Sequence, residues 1–196
     1  RITKDMVENG FFGPNSWVYH HDSMSWYPWG RDYGTTSFPG LPATAAFFYS
    51  ILNALGIRIV LTSSLSPLSS DPVYNFCILF PVIMGTLTCL AMYFLGKDIG
   101  GKEVGLLSAF FLALNGSYIS RTALGFFDDE TVGILGILLF IFFFLRSIEP
   151  ERSIRSNAIY AVASGLSLGY IFASWGASRY PLGMALLFVF ILILLR

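Results

Sequence analysis

Arg121, Asp128, Asp129 and Glu130 sit together between two long apolar runs, and they are the residues of this chain best suited to chemistry. The run before them, 104–120, carries no charge, and neither does 131–145. Only 12% of the 196 residues are charged, so a cluster at the mouth of two apolar runs calls for a reason. Ionisable groups at membrane depth are costly, and by default they mark function. Three carboxylates beside one arginine suit a hard cation with oxygen ligands. Asp128 and Glu130 are spaced i, i+2, which in an extended loop points both side chains to one face. The alternative is that Asp129 and Glu130 open the following helix, where acids complement its dipole. Arg121 can snorkel to headgroups, bind a phosphate or pair with the acids.

The elements that must hold this cluster are membrane helices. The chain is 55% hydrophobic and 17% aromatic, with mean hydropathy +0.65. Five stretches, 74–96, 104–120, 131–148, 157–175 and 180–195, have the length and apolarity of spans. Formal charge is zero, which gives no electrostatic case for a nucleic-acid partner. Cys77 and Cys89 lie in one run, about 18 Å apart on a helix, and read as packed thiols. The start at Arg1 and the stop at Arg196 read as a fragment of a longer protein.

Basic loops set the expected orientation. Lys97 and Lys102 share one connection, and Arg146, Arg152 and Arg155 share another, two spans later. Both are expected on the cytoplasmic side, which puts 121–130 and the turn near 175–179 outside. Arg179 in that turn reads as a snorkelling residue. Residues 1–73 form a first external region, and 74–196 hold the spans. In the external region, Asp5 to Glu8 suggests a short amphipathic helix ending near Gly10, and 13–40 reads as loop. The apolar helix expected over 41–55, ended by Gly56 and Arg58, would reach only about 23 Å of a core about 30 Å thick. It is expected to lie at the interface or re-enter, followed by a Ser/Pro loop over 61–72. Trp17, Trp26, Tyr27, Trp29 and Tyr33 suit the headgroup level. His20-His21-Asp22 reads as a solvated loop pair rather than a ligand cluster. Asn115-Gly-Ser117, a glycosylation pattern inside a span, reads as a point that loosens the helix.

The chain resembles the catalytic subunit of oligosaccharyltransferase, the membrane enzyme of N-linked protein glycosylation. WYPWGRDYGTTSFPGLPATAAFFY (26–49) is similar to the family's first external loop, with its WYP-x-GR and PGL elements. GSYISRTALGFFDDE (116–130) resembles GYISRS-x-AGS-[YF]-D-N-E, and SWG (174–176) matches the start of SWGGYVF. The sequence WGASRYP departs from that motif after its first glycine, and no site role is carried over there.

The resemblance implies an all-α polytopic bundle of the lipid-sugar glycosyltransferase (GT-C) type, whose long first external loop carries helices along the membrane. It implies Mg²⁺ or Mn²⁺ at Asp128 and Glu130, with Arg121 as the catalytic arginine. Arg1-Ile2 matches the end of a D-P-x-x-x-x-R segment, whose metal-binding aspartate would lie upstream. The implied partners are a lipid-linked oligosaccharide donor, an acceptor polypeptide with Asn-x-Ser/Thr, membrane lipids, and accessory subunits in the eukaryotic case. The membrane implied is the archaeal cell membrane, or the endoplasmic reticulum membrane in a eukaryote. Two rivals remain. A protein O-mannosyltransferase would share the external acids but lack the GYISR and WYP-x-GR elements. A transporter would place acids within broken mid-membrane helices.

Overall fold

The protein's structure is a computed structural model that describes residues 1–57, 59 and 71–195. Arg58 and nearly all of the expected Ser/Pro loop lie outside the described residues. The chain divides into two units, Arg1–Phe80 and Pro81–Arg196.

In the first unit, α1 (Ile2–Asn9) ends at Gly10, as its sequence predicts. A 3₁₀ turn at Trp17–Tyr19 leads to two short antiparallel strands, β1 (His21–Asp22) and β2 (Arg31–Asp32), paired His21 to Asp32 and Asp22 to Arg31. The short helix α2 (Tyr33–Thr36) and α3 (Gly40–Ala54) follow. The hairpin and α2 correct the expectation that 13–40 is all loop. Met6, Trp17, Tyr33 and Ala46 form the core, with Ile2, Val7, Phe11 and Ala43 packed on it. The helix expected over 41–55 is present as the fifteen-residue α3. Arg31, the last residue of the WYP-x-GR element, is hydrogen-bonded to the end of the G-T-T-S run that follows. Its Nε bonds Thr36 Oγ1, and Nη2 bonds the Thr36 carbonyl and Ser37 Oγ, at 2.9–3.0 Å. Lys4 reaches Asp71 at 2.7 Å, which ties α1 to the start of the next helix.

That helix, α4 (Pro72–Leu114), is two helices merged across a break at Gly100 and Gly101. Gly101 has φ 86°, a conformation that only glycine adopts readily. The two arms pack back on each other. A methyl group on Gly105 would meet the Tyr93 carbonyl oxygen at 2.6 Å, so the contact requires glycine. The arms correspond to the spans expected at 74–96 and 104–120, but the second arm ends at Leu114. Asn115 caps a new helix, α5 (Gly116–Arg121), its side chain accepting the Tyr118 N–H at 3.0 Å. This is the loosening expected at Asn115-Gly-Ser117, carried through to a full break.

Then come α6 (Glu130–Ser147), α7 (Ile154–Ser174) and α8 (Arg179–Leu194). Three stretches among the described residues are long and apolar enough to cross a membrane: Pro72–Leu114, Glu130–Ser147 and Gly176–Leu194. The expected span at 157–175 forms a helix but is not among them. The reason is its polar content, partly satisfied within the fold: Ser164 is buried and donates to the Phe140 carbonyl, and Ser167 and Ser174 donate one turn back. Gly136 on α6 receives Ile171 of α7, where a methyl group would meet Ile171 Cγ1 at 2.7 Å. Both cysteines are free thiols, as read from the sequence.

The two basic connections meet at one end of the second unit. Arg146 holds Asp98 through both Nε and Nη2, the latter at 3.0 Å to Oδ1, and also bonds Tyr160 Oη at 3.0 Å. Its guanidinium lies 4.3 Å from the Phe142 ring centre. The pairing of these loops at one end agrees with the charge-based count of crossings. The chain is an integral membrane protein, and the many exposed Leu, Ile, Val and Phe side chains of α4 and α8 are what such a protein presents.

Candidate active site

Two helix ends build the site. Arg121 is the last residue of α5, and Glu130 is the first of α6. The α5 end is seated on α4. Tyr118 is buried, its hydroxyl directed at the Gly85 carbonyl at 3.5 Å, and a methyl group on Gly85 would meet Thr122 Cβ at 3.1 Å. The α6 end is anchored by Thr131 and Val132, both fully buried. Thr131 N–H donates to the Asp128 carbonyl at 3.0 Å, and its Oγ1 reaches the Arg121 carbonyl at 3.4 Å. The 121–130 loop is thereby closed at its base, and its polar side chains stand on a fixed foundation.

Across that loop Arg121 Nη1 donates to Glu130 Oε1 at 3.0 Å. The guanidinium also lies 5.5 Å from the centre of the Phe126 ring. Arg121 is 49% exposed and Glu130 22% exposed, so the pair is open on one side. Of the three roles open to Arg121 in the sequence, the structure shows pairing with an acid. Asp128 is exposed, and its Oδ1 accepts the Asp129 N–H at 2.8 Å.

The extended register expected for Asp128 to Glu130 is not adopted. Asp129 has helical dihedrals (φ −59°, ψ −31°), and its carbonyl already accepts the Gly133 N–H at 2.9 Å. The turn begins one residue before the helix, so strand-like alternation does not apply. Glu130 stands in the first turn, where the helix dipole favours an acid.

Among the described residues no group of three or more His, Cys, Asp or Glu is placed to hold a metal ion. Asp128 and Glu130 supply hard oxygen donors at an accessible corner. Their chemistry fits Mg²⁺ or Mn²⁺, because Mg²⁺ commonly takes one or two carboxylates and completes its shell with water and substrate phosphate. Arg179 is exposed at the start of α8.

A second polar centre, in the first unit, is more ordered than its sequence implies. Asp22 is only 6% exposed, which corrects the solvated reading of His20-His21-Asp22. Its carboxylate accepts from Ser25 Oγ at 2.6 Å, Tyr33 Oη at 2.8 Å, the Met24 N–H at 3.0 Å and Arg1 Nη1 at 2.6 Å. Those bonds, Ser25 and Tyr33 foremost, hold the carboxyl well below the usual carboxylate range, against the opposing effect of burial. The two histidines do stay about half exposed, His21 bonded to Asp32 at 2.6 Å and His20 stacked on Tyr33. Asp22 has no motif of its own. No local sequence signal marks it, because β1 is only two residues long and both are polar.

The sequence family described as "Oligosaccharyl transferase STT3, N-terminal" matches residues 1–196. The Saccharomyces cerevisiae dolichyl-diphosphooligosaccharide–protein glycosyltransferase subunit STT3 is 31% identical over 196 residues, 100% of this chain and 24% of that protein. The Arabidopsis thaliana subunit STT3B is 30% identical over 194 residues, 99% of this chain and 24% of that protein. The chain thus spans about a quarter of the length of these curated relatives. Among solved structures, the Archaeoglobus fulgidus oligosaccharyltransferase in its apo form matches with TM-score 0.69 and 21% identity, over 96% of this chain and 20% of that one. The archaeal oligosaccharyltransferase AglB from Archaeoglobus fulgidus, in complex with an inhibitory peptide and a dolichol-phosphate, matches with TM-score 0.69 and 22% identity, over 97% of this chain and 20% of that one. At that identity the likeness is one of fold.

Proposed function

The chain belongs to the oligosaccharyl transferase STT3 family, and from that premise we propose that its parent protein glycosylates polypeptides. It transfers an oligosaccharide from a polyisoprenyl (dolichyl) phosphate or diphosphate carrier to the asparagine of Asn-x-Ser/Thr. Asp128 and Glu130 contribute to holding Mg²⁺ or Mn²⁺, and Arg121 serves the reaction centre. The observation that carries the reading is the family match over residues 1–196, and beside it stands the 3.0 Å pairing of Arg121 with Glu130 where the end of α5 meets the start of α6. The archaeal relative's complex with a peptide and a dolichol-phosphate supports the two classes of partner. Accessory subunits belong to the eukaryotic case.

The chemistry assigns each residue a task. Cleaving the bond between sugar and carrier leaves negative charge on phosphate oxygens. A bound divalent cation supplies Lewis-acid stabilisation of that charge. Asp128 and Glu130 bring the anionic oxygens such an ion requires. Arg121 brings a planar fork of N–H donors suited to phosphate. Glu130 and the Phe126 ring keep that fork at the acidic corner, which limits its reorganisation during reaction. The acceptor amide nitrogen is a poor nucleophile because its lone pair is delocalised, so departure of the carrier must be strongly assisted.

The test uses the full-length protein, a lipid-linked oligosaccharide and a labelled peptide containing Asn-x-Thr. Transfer is expected to stop on chelation and to return with Mn²⁺. Transfer that persists through chelation would overturn the metal assignment. Sugar found on the Thr hydroxyl instead of the asparagine would point to an O-mannosyltransferase-like enzyme.

A further inference from the structure

We propose that Trp175, through Gly133, is a positioning residue for Glu130. The proposal rests on the reading above, in which Glu130 helps hold the cation. It concerns how that side chain is kept in place.

Gly133 lies three residues after Glu130, so the two are neighbours on adjacent turns of α6. The Gly133 N–H closes the first turn on the Asp129 carbonyl at 2.9 Å. On its other side Gly133 receives the indole of Trp175. A methyl group on Gly133 would meet Trp175 Cε3 at 2.6 Å, Cδ2 at 2.9 Å and Cγ at 3.3 Å. The indole cannot easily retreat, because its backbone is held on both sides. Trp175 N–H donates to the Ile171 carbonyl at 2.9 Å, and its carbonyl accepts Ser178 N–H at 3.2 Å. Ile171 and Ser174 are fully buried, and Ser178 is nearly so. A large flat side chain on a fixed turn therefore lies directly on the backbone of the turn that begins with Glu130. Displacing either partner shifts the α6 terminus, and with it the carboxylate.

The expected consequence is loss of metal affinity with the fold retained. Groups that orient a ligand without touching the metal typically change affinity 10–100-fold when removed. Mn²⁺ binding to the full-length protein, without donor or acceptor, can be followed by the electron paramagnetic resonance signal of free Mn²⁺. Gly133→Ala, which pushes on the ring, and Trp175→Ala, which removes it, are each expected to weaken binding about tenfold. The double variant is expected to be no worse than the poorer single one, since both break one contact. Trp175→Phe, which keeps a ring over Gly133, should lose less than about tenfold, the lower end of that scale.

Glu130→Gln separates the two readings. If it weakens Mn²⁺ binding while Gly133→Ala and Trp175→Ala do not, the positioning role is overturned and the metal role stands. If Glu130→Gln has no effect, the metal role fails and the positioning role falls with it. Additive losses in the double variant would show that Trp175 does not act through Gly133. Should Gly133→Ala fail to fold, Trp175→Ala and Trp175→Phe still decide the matter, since neither adds bulk to the α6–α7 contact.

Discussion

Replacing Arg121 by lysine separates a residue that anchors a helix from one that serves the reaction. Lysine keeps the positive charge at the end of α5, where the helix dipole favours it, and it snorkels equally well. What it loses is the planar two-pronged donor. The structural cost of that loss is small. The Arg121–Glu130 pair is open, with 49% and 22% of the two side chains exposed, and pairs of that kind contribute about 0.2–1 kcal/mol. The contact with Phe126 at 5.5 Å is also one a lysine can partly replace. Folding and insertion of the full-length Arg121→Lys protein should therefore be close to normal. Removing a donor to developing charge instead costs about 10²–10³ in rate, or about 2.7–4 kcal/mol of barrier. The rate effect thus exceeds the stability effect several-fold. Single-turnover transfer from the lipid-linked donor, at matched protein levels, measures it. Near-wild-type turnover in the lysine protein would leave Arg121 only its anchoring role.

Among the three acids, Asp128→Ala and Glu130→Ala in the full-length protein should each abolish most transfer, whereas Asp129→Asn should be milder. The Asp129 side chain makes no capping bond to α6, and asparagine keeps its size, so the entry to the helix survives that change; equal damage at all three positions in the transfer assay would refute the assignment. In the first unit, Asp22 has its pKa depressed in the fold, so its stabilising contribution is complete above the ordinary aspartate range, near 3.9, and is lost as pH falls through the lower folded value. Amide exchange over 21–33 should therefore stay slow at pH 5 and rise only under strong acid, and Asp22→Asn should raise it at neutral pH; an unchanged exchange pattern in the variant would show that the carboxylate does not organise the hairpin.

The helices were legible in the sequence because their signals are local. Apolar runs mark α4, α6 and α8, and Gly10 and Gly56 mark where helices stop. The arrangement of connections was legible too, since charge bias requires the Lys97–Lys102 and Arg146–Arg155 loops to share a side. The Arg146–Asp98 contact joins those loops directly. The hairpin was not legible. Its strands are two residues each, too short for alternation to register, and its order comes from contacts distant in sequence, such as Tyr33 and Arg1 on Asp22. The break at Asn115 was half legible. A capping residue inside an apolar run signals weakness, but the packing of Tyr118 and Thr122 on Gly85 turns weakness into a separate helix.

At the site, residue identity was readable and geometry was not. The i, i+2 spacing of Asp128 and Glu130 suggests one face of an extended segment, yet Asp129 is already helical. What brings the residues together is the meeting of two helix ends. Arg121 complements the negative end of α5, and Glu130 complements the positive end of α6. Helix-end electrostatics alone would favour that pair in a protein with no catalytic role. The same electrostatics do not account for Asp128. It precedes the first residue of α6, is exposed, and its carboxylate accepts the N–H of its own neighbour Asp129. An exposed acid of that kind is worth little to the fold, and its removal should change stability by no more than about 0.5 kcal/mol. Loss of transfer in Asp128→Ala with stability intact therefore cannot be assigned to a broken helix end. Of the four charged residues at this corner, Asp128 is the one whose substitution reports on chemistry with least interference from structure.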